Sequence, residues 1–85
     1  MGFFLDREAV FIKLKGLMTE VFGLDPESIT PDKKLEGDLH LDSLDMVDLI
    51  LAINDQIPDK KLDPSLFKNA REVDDLTGLI LPFFN

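Results

Sequence analysis

A serine flanked by aspartates is the strongest candidate for chemistry in this sequence. Ser43 lies between Asp42 and Leu44, and Asp45 and Asp48 follow within two helical turns. The pattern predicts that Asp42 caps a helix that begins at Ser43. Because the first turn of a helix has free backbone N–H groups and the positive end of the dipole, a phosphate on Ser43 would find donors there. The residues alone leave two possibilities open, a site for a phosphate-linked group or an ordinary serine at a helix start.

Other kinds of chemistry are poorly supported by the composition. The chain has no cysteine and one histidine, His40, which excludes disulfides, thiolate metal sites and multi-histidine metal centres. His40, Asp42 and Ser43 are close in sequence, but a lone histidine beside a helix-start serine is a poor basis for a hydrolase. Asp42, Asp45 and Asp48 are spaced by three on a helix, so they do not wrap one calcium ion as an EF-hand loop does. We therefore predict a protein that is not an enzyme and binds no metal at a dedicated site.

Length and charge predict one small acidic domain over residues 1–85. The chain contains 9 Lys and Arg against 17 Asp and Glu, for a formal net charge of −8. This balance argues against nucleic acid and against anionic membrane surfaces. The longest apolar run covers residues 49–53, far short of a bilayer span, and no signal peptide is visible, so we expect a cytoplasmic monomer with no membrane insertion.

Hydrophobic spacing and capping residues predict an all-α chain. We expect helices at about 6–22, 43–55 and 70–81, with a short helix that starts at Asp63-Pro64. The last of the longer helices is expected to use Asn69 as its cap, with Glu72 three residues later. A long connection over 23–41 contains one short turn at 26–29. Together these elements predict a four-helix bundle of three longer helices and one short helix, with a long loop between the first two.

The apolar positions predict which helix faces turn inward. These positions are Val10, Phe11, Leu14, Leu17, Met18, Val21 and Phe22 in the first helix and Val73, Leu76, Leu79 and Ile80 in the last. In the second helix Leu44, Val47, Ile50, Leu51 and Asn54 share one side, and Met46, Leu49 and Ile53 widen the arc, which predicts burial on more than one side. The loop leucines are expected to pin residues 23–41 onto the core, and the tail at 82–85 to pack against Phe3 and Phe4.

The stretch over residues 42–49, Asp-Ser-Leu-Asp-Met-Val-Asp-Leu, resembles the prosthetic-group attachment motif of acyl carrier proteins. The acidic lead-in at 35–39 and the segment Leu62-Asp63-Pro64 also resemble that family, and the similarity extends over about residues 5–81. The resemblance implies that a separate phosphopantetheinyl transferase attaches 4′-phosphopantetheine from coenzyme A to Ser43, with Asp42 flanking the site. The thiol of that arm would carry acyl groups as thioesters between enzymes of fatty-acid, lipid or polyketide-type biosynthesis.

The resemblance also implies roles for residues around Ser43. The partner-binding face would be Leu44, Asp45, Met46 and Asp48, which would meet acyl-transferring or acyl-modifying enzymes through basic docking patches. Residues 35–57 support this because they hold six acidic residues and no Lys or Arg, and a surface of one sign steers oppositely charged partners. Candidates for an acyl pocket are Val47, Ile50, Leu66 and Phe67, for which ordinary core packing is the alternative.

Two departures from the common pattern keep alternatives open. His40-Leu41 stands where the fatty-acid proteins usually have a small pair that starts with glycine, and the segment over residues 55–61 is less acidic and differently spaced than their common pattern. Separately, Phe67 is bulkier than the aliphatic residue usual at its position, which leaves the size of an acyl cavity open. The leucine before Asp-Ser resembles D-alanyl and other aminoacyl carrier proteins, whereas Asp45 favours acyl carriers. The alternatives are therefore an aminoacyl carrier, or a non-carrier acidic helical module that docks through the surface of Met46 and Ile53.

Overall fold

The computed structural model describes residues 6–57 and 62–84, and their regular structure is helical. Three α-helices occupy Arg7–Phe22 (α1), Ser43–Gln56 (α2) and Val73–Ile80 (α3). Three 3-10 turns lie at Pro26–Ser28, Pro64–Phe67 and Leu81–Phe84. The described ranges contain no strand, only an isolated antiparallel bridge between Lys34 and Glu72. The all-α prediction is confirmed, and a 3-10 turn stands where the short helix was expected.

The capping residues Asp6 and Gly23 set the limits of α1 close to the prediction. The Asp6 carboxylate accepts the Ala9 N–H at 2.8 Å, which satisfies one of the free donors of the first turn. Gly23 ends the helix with φ 68°, and its N–H donates to the Thr19 carbonyl at 2.9 Å. Glycine adopts this left-handed conformation without a steric penalty, so α1 ends there.

The core lies where the three helices meet. Its fully buried side chains are Val10, Leu14 and Met18 from α1, Leu49 and Ile53 from α2, and Val73, Leu76 and Ile80 from α3. α1 packs against both α2 and α3, whereas no Cα atoms of α2 and α3 come within 8 Å of each other. The turn Pro64–Phe67 contacts both of these helices and lies between them. This arrangement leaves space between α2 and α3 on the side away from α1.

The predicted inward side of α2 is correct at Ile50 and wrong at Leu44, Val47 and Leu51. Leu44, Val47 and Leu51 are exposed by 74%, 43% and 59%, while Leu49, Ile50 and Ile53 are buried. Met46, Leu49, Ile50 and Ile53 recur at intervals of three and four residues, so the inward-facing residues form one stripe along α2. This stripe is narrower than the broad apolar arc that the sequence predicted. Because α1 covers only one side of α2, the other apolar side chains remain at the surface. Val21 of α1, also expected inward, is 38% exposed.

The long connection between α1 and α2 is held against the core by its leucines and isoleucine, as the sequence predicted. Ile29, Leu35, Leu39 and Leu41 are buried, and Leu24 is half-buried against them. The expected short turn is present at Pro26–Ser28, where the Asp25 carboxylate accepts the Glu27 N–H at 3.0 Å. The loop therefore has a fixed path that leads directly into Ser43.

The predicted start of α3 is wrong, because Glu72 rather than Asn69 precedes the first helical residue. The backbone on either side of Glu72 is hydrogen-bonded to the long loop, so residues 69–72 do not wind into the helix. Leu35 N–H donates to the Arg71 carbonyl at 2.8 Å, and Val73 N–H donates to the Lys33 carbonyl at 3.0 Å. These tertiary bonds need an extended chain there, which overrides the capping signal.

The chain after α3 packs back onto the core. Phe83 and Phe84 of the last 3-10 turn are half-buried and contact it. Their expected partners Phe3 and Phe4 lie outside the described residues, so that prediction is untested. No helix within residues 6–57 and 62–84 combines the length and the hydrophobicity of a membrane-spanning segment.

Candidate functional site

Ser43 is the first residue of α2, and its side chain is exposed. Asp42 caps the helix by accepting the Asp45 N–H at 2.9 Å, and the Asp45 carboxylate accepts the Asp42 N–H at 3.1 Å. This reciprocal capping box satisfies both donors without help from the serine. Within residues 6–57 and 62–84 the Ser43 hydroxyl has no hydrogen-bond partner. The oxygen is therefore accessible to a visiting protein and is not needed for the fold.

Backbone bonds fix the loop that leads into Ser43. Leu41 N–H donates to the Leu35 carbonyl at 2.8 Å, and His40 N–H donates to the Glu36 carbonyl at 3.1 Å. His40 has φ 58°, the left-handed region that residues with a Cβ rarely adopt. In the family that residues 42–49 resemble, a small pair that starts with glycine usually stands at the position of His40-Leu41. The backbone conformation gives a physical reason for that usage.

Replacing His40 with glycine is expected to stabilise the fold by about 0.5–1 kcal/mol. The gain is the relief of roughly 1–2 kcal/mol of left-handed strain, less about 0.4–1 kcal/mol for the greater freedom of glycine in the unfolded chain. The exposed imidazole has no hydrogen bond to the described residues, and the backbone bond to Glu36 survives the change. Urea denaturation measures the difference. His40→Ala keeps the Cβ and is the control, and an equal gain in that variant would contradict the explanation.

A groove of about 870 Å³ lies beside Ser43. Its lining comes from the start of α2, from the segment between Pro64 and Asp75, and from the loop at 34–37. The apolar part of its lining consists of Leu35, Leu41, Met46, Val47, Ile50, Phe67 and Ala70. The groove occupies the space left between α2 and α3. An apolar chain attached near Ser43 can therefore pack against these apolar side chains, which removes its surface from water.

Three of the four acyl-pocket candidates line this groove together. Ile50 and Phe67 are 3% and 6% exposed and belong to its floor, while Val47 lies nearer the surface. The side chain of Leu66, the fourth candidate, lies outside the described part of the chain. Phe67 is part of the floor, and a groove is present despite its bulk. The sequence alone did not decide whether such a space exists. The role of these residues in binding an acyl chain stays a prediction.

Sequence reasoning missed two groove residues, Leu35 and Leu41. Both were expected only to anchor the long loop, and both do so while also lining the groove. The available signal was their position, since they lie within eight residues before Ser43 in a loop that must end at the site. Side chains that pin a loop beside a helix start also shape the surface next to it.

The predicted partner-binding residues divide between two places. Leu44 and Asp48 are exposed on the outer side of α2, where the exposed Leu51 continues the apolar surface. Met46 is half-buried and lines the groove. Asp45 is half-buried, and its carboxylate is engaged in the capping box. Leu44 and Asp48 are thus the two of the four that lie fully at the surface.

A second carboxylate has a capping role at α3. The Asp75 side chain accepts the N–H groups of Glu72 and Arg71, both at 3.0 Å. These bonds to the charged form, first that from Glu72 and then that from Arg71, lower the pKa of Asp75. Burial opposes them, and the positive charges of Arg7 and Arg71 lower the pKa by smaller amounts. Asp75 therefore stays ionised near neutral pH and holds the backbone turn beside the groove.

The fold and the site together define a class of protein. A small helical domain presents one accessible serine at the start of a helix, with an apolar groove beside it and an acidic outer face. Such a site suits the covalent tethering of a group and its display to other proteins.

Comparisons with known proteins identify the family. A family model described as a phosphopantetheine attachment site matches residues 13–80. Acyl carrier protein 2 of Ralstonia nicotianae is 32% identical over 68 residues, which cover 80% of this chain and 83% of the relative. The acyl carrier protein of Thermotoga maritima is 39% identical over 62 residues, with coverage of 73% and 76%. The acyl carrier protein of Coprothermobacter proteolyticus is 32% identical over 76 residues, with coverage of 89% and 92%.

The chain belongs to the phosphopantetheine-binding acyl carrier protein family. It is a carrier and not an enzyme, and its prosthetic group is 4′-phosphopantetheine. The resemblance recognised in residues 42–49 is confirmed. The calcium-sensor, hydrolase and non-carrier alternatives lose their support, because each was an explanation of features that family membership already explains.

Proposed function

We propose that Ser43 is the residue that carries the 4′-phosphopantetheine group. The observation that carries this proposal is the accessible hydroxyl at the first position of α2, beside the groove and free of any structural duty. The N–H groups of Ser43 and Leu44 have no acceptor within the described residues, since the capping box uses those of Asp42 and Asp45. Two donors thus remain near the hydroxyl to face a phosphate.

The attachment is a phosphoryl transfer that a separate transferase performs with coenzyme A. The Ser43 oxygen forms a bond to the phosphorus on the pantetheine side, and the bond from that phosphorus to the bridging oxygen of the diphosphate breaks. Adenosine 3′,5′-bisphosphate leaves with that oxygen, and the hydroxyl proton passes to a base of the transferase or to water. When bound, the group supplies a terminal thiol that holds acyl groups as thioesters. The absence of cysteine from the chain is consistent with a thiol supplied in this way.

The groove is proposed to shelter the apolar part of the cargo between visits to enzymes. Val47, Ile50 and Phe67 supply the surface, with Leu66 as the fourth residue from the sequence prediction. Removing a methylene from water is favourable by about 0.8 kcal/mol, so a short alkyl chain gains enough to lie in the groove and still leave it. Such reversible shelter suits a carrier that must release its cargo.

The outer face of α2 is proposed to dock the transferase and the acyl-handling enzymes. Leu44, Asp45, Met46 and Asp48 form the predicted contact set, with Leu44 and Asp48 the most accessible. A basic patch on the partner would meet the acidic residues, and an apolar pocket would take Leu44. Long-range attraction with a small contact area allows fast association and fast release.

Reversing the charge of Asp48 is expected to slow association with the transferase about tenfold at low salt. Asp48 is exposed and has no structural partner within the described residues, so Asp48→Lys changes the docking face without changing the fold. Stopped-flow binding or initial modification rates measure the effect, which added salt is expected to reduce. Glu20→Lys on α1 is the matched control because it changes the net charge equally. Equal slowing by both variants would contradict a local docking face.

The cargo proposed from the sequence is an acyl intermediate of fatty-acid, lipid or polyketide-type biosynthesis. We further propose that the chain acts as one monomeric carrier domain in the cytoplasm, and that the turn Pro64–Phe67 corresponds to the short helix of a four-helix bundle. Loading assays with acyl and aminoacyl thioesters of coenzyme A, followed by assays with the partner enzymes, distinguish an acyl carrier from an aminoacyl carrier.

The direct test of the proposed function is an intact mass spectrum. The protein is incubated with coenzyme A, Mg²⁺ and a broad-specificity phosphopantetheinyl transferase. The expected result is the addition of one phosphopantetheine group per chain, and fragmentation should place it on the peptide that contains Ser43. An unchanged mass, or a group on another residue, would overturn the proposal.

A further inference from the structure

Arg7, the first residue of α1, is bonded to Asp74 in the first turn of α3. Its Nε and Nη2 atoms lie 3.1 and 2.9 Å from Asp74 Oδ1, and Nη2 also donates to the Asp74 backbone carbonyl at 2.8 Å. Both side chains are 50% exposed, and an exposed ion pair alone contributes little to stability. The additional bond to a backbone carbonyl fixes the guanidinium relative to α3 itself, which a pair of mobile side chains does not do.

The guanidinium of Arg7 also lies against Gly78, one turn further along α3. A Cβ atom at position 78 would lie 3.2 Å from both Nη1 and Nη2, closer than ordinary van der Waals contact. Glycine inside a helix is less favourable than alanine, because it loses more backbone freedom on folding. A glycine within an eight-residue helix therefore needs a packing reason, and the close approach of Arg7 supplies one.

Asp74 also holds the long loop between α1 and α2. Its N–H donates to the Pro31 carbonyl at 2.9 Å, beside the two backbone bonds that join this segment to Lys33 and Leu35. One aspartate therefore contacts α1 through its carboxylate and carbonyl, and the loop through its N–H. Because three elements meet here, we call Arg7, Asp74 and Pro31 the Asp74 junction.

The loop continues from this junction to the attachment site over a short path. The carbonyl of Leu35 accepts the Leu41 N–H at 2.8 Å, and Leu41 lies two residues before Ser43. Both leucine side chains are buried, so the path has little freedom once its start is held. A movement of the α3 start relative to α1 would therefore change where the loop presents Ser43.

We propose that Arg7 and Asp74 are positioning residues for the attachment site, because they hold the start of α3 and, through it, the loop that presents Ser43 to the transferase. The inference rests on the proposed attachment at Ser43. Neither side chain is hydrogen-bonded to Ser43 within the described residues, so they act on the placement of the loop and not on the transfer step. A partner that recognises one arrangement binds more weakly in proportion as that arrangement is less populated. Loss of the Asp74 junction therefore raises KM and leaves kcat unchanged.

Hydrogen exchange in the apo chain tests whether the Asp74 junction holds the loop. Arg7→Ala is expected to speed exchange of the Asp74 and Leu41 amides about tenfold. The amide of the buried Ile53 in α2 reports the stability of the whole fold and should change much less. Lys13→Ala is the matched control, because Lys13 is exposed on α1 and its removal changes the net charge equally. Equal acceleration of all three amides, or the same pattern in Lys13→Ala, overturns the inference.

A double-mutant comparison tests the contact between Arg7 and Gly78. In the Arg7→Ala chain, Gly78→Ala should raise the midpoint of urea denaturation, because alanine is the better helix former. In the parent chain the same substitution should raise the midpoint less, or lower it, because the new Cβ displaces the guanidinium. An equal gain in both chains means that the guanidinium is not held at position 78, and it overturns the inference.

Modification kinetics connect the Asp74 junction to the attachment site. An intact mass first confirms that the parent chain gains one phosphopantetheine arm. Arg7→Ala is then expected to raise the KM of the transferase for the chain about three- to tenfold with kcat unchanged, whereas Lys13→Ala should not. An unchanged KM in Arg7→Ala, or an equal rise in both variants, overturns the inference. A parent chain that gains no arm overturns the proposed function instead, and the exchange and urea measurements on the apo chain do not depend on that outcome.

Discussion

Replacing Ser43 with alanine is expected to abolish modification completely, leaving no phosphopantetheine mass after incubation with coenzyme A and a transferase. The attachment needs an oxygen that can bond to phosphorus, and no hydroxyl at another position of the α2 start replaces it. The fold should be unaffected, because Asp42 and Asp45 cap α2 and the Ser43 hydroxyl has no partner among the described residues. The variant should keep the melting temperature of the parent chain within the small range of a surface substitution.

Ser65→Ala is the matched control for this experiment. Ser65 also lines the groove and is exposed, but it lies in the 3-10 turn Pro64–Phe67 and not in α2. We expect full modification of that variant. If Ser43→Ala is still modified, or if Ser65→Ala keeps its fold but is not modified, the attachment point is not Ser43 and the assignment is wrong.

Local chemistry made much of this fold predictable. The start of α2 follows from Asp42 and Asp45, because a carboxylate at each position satisfies a donor of the other. The end of α1 follows from Gly23, and the turn at Pro26 follows from Asp25 with a proline at the first helical position. These signals act over a few residues, so the sequence alone contains them.

The errors all concern the long-range packing of the chain. Asn69 and Glu72 form a good capping pattern, but the neighbouring backbone at Arg71 and Val73 bonds to Leu35 and Lys33, which are distant in the sequence. Leu44 and Leu51 look like core residues by hydrophobicity, yet no element within residues 6–57 and 62–84 covers their side of α2. Which side is covered depends on how the helices assemble, which a local pattern does not encode.

In the candidate site, too, the local features were predictable from the sequence and the features that depend on long-range packing were not. Residues 42–49 identified Ser43 and the surrounding residues because they form one helix start with its own capping chemistry. The groove depends on three separated segments, α2, the segment between Pro64 and Asp75, and the loop at 34–37, so its full lining followed only from the structure.

Replacing Leu35 with alanine is expected to cost about 2–5 kcal/mol of the free energy of unfolding. Leu35 is 4% exposed, anchors the loop before Ser43, and lines the groove. Its backbone N–H donates to the Arg71 carbonyl, so the side chain holds the place where the loop meets the segment before α3. For an 85-residue domain with roughly 4–13 kcal/mol of stability, this is a large fraction of the total. Urea denaturation of the apo protein measures it.

Ile29, a second buried residue of the loop, tests whether the effect of Leu35→Ala on the groove is separate from its effect on stability. Ile29 is 1% exposed and pins the same loop, but it does not line the groove. Ile29→Ala should therefore cost a comparable free energy while leaving ¹H–¹⁵N shifts of Val47 and Ile50 near those of the parent chain, whereas Leu35→Ala should move them. If both variants move these shifts equally, the groove is coupled to the whole loop. If Leu35→Ala costs less than about 1 kcal/mol, the loop is not anchored by this leucine, because a well-packed leucine of such low exposure loses at least that much on truncation.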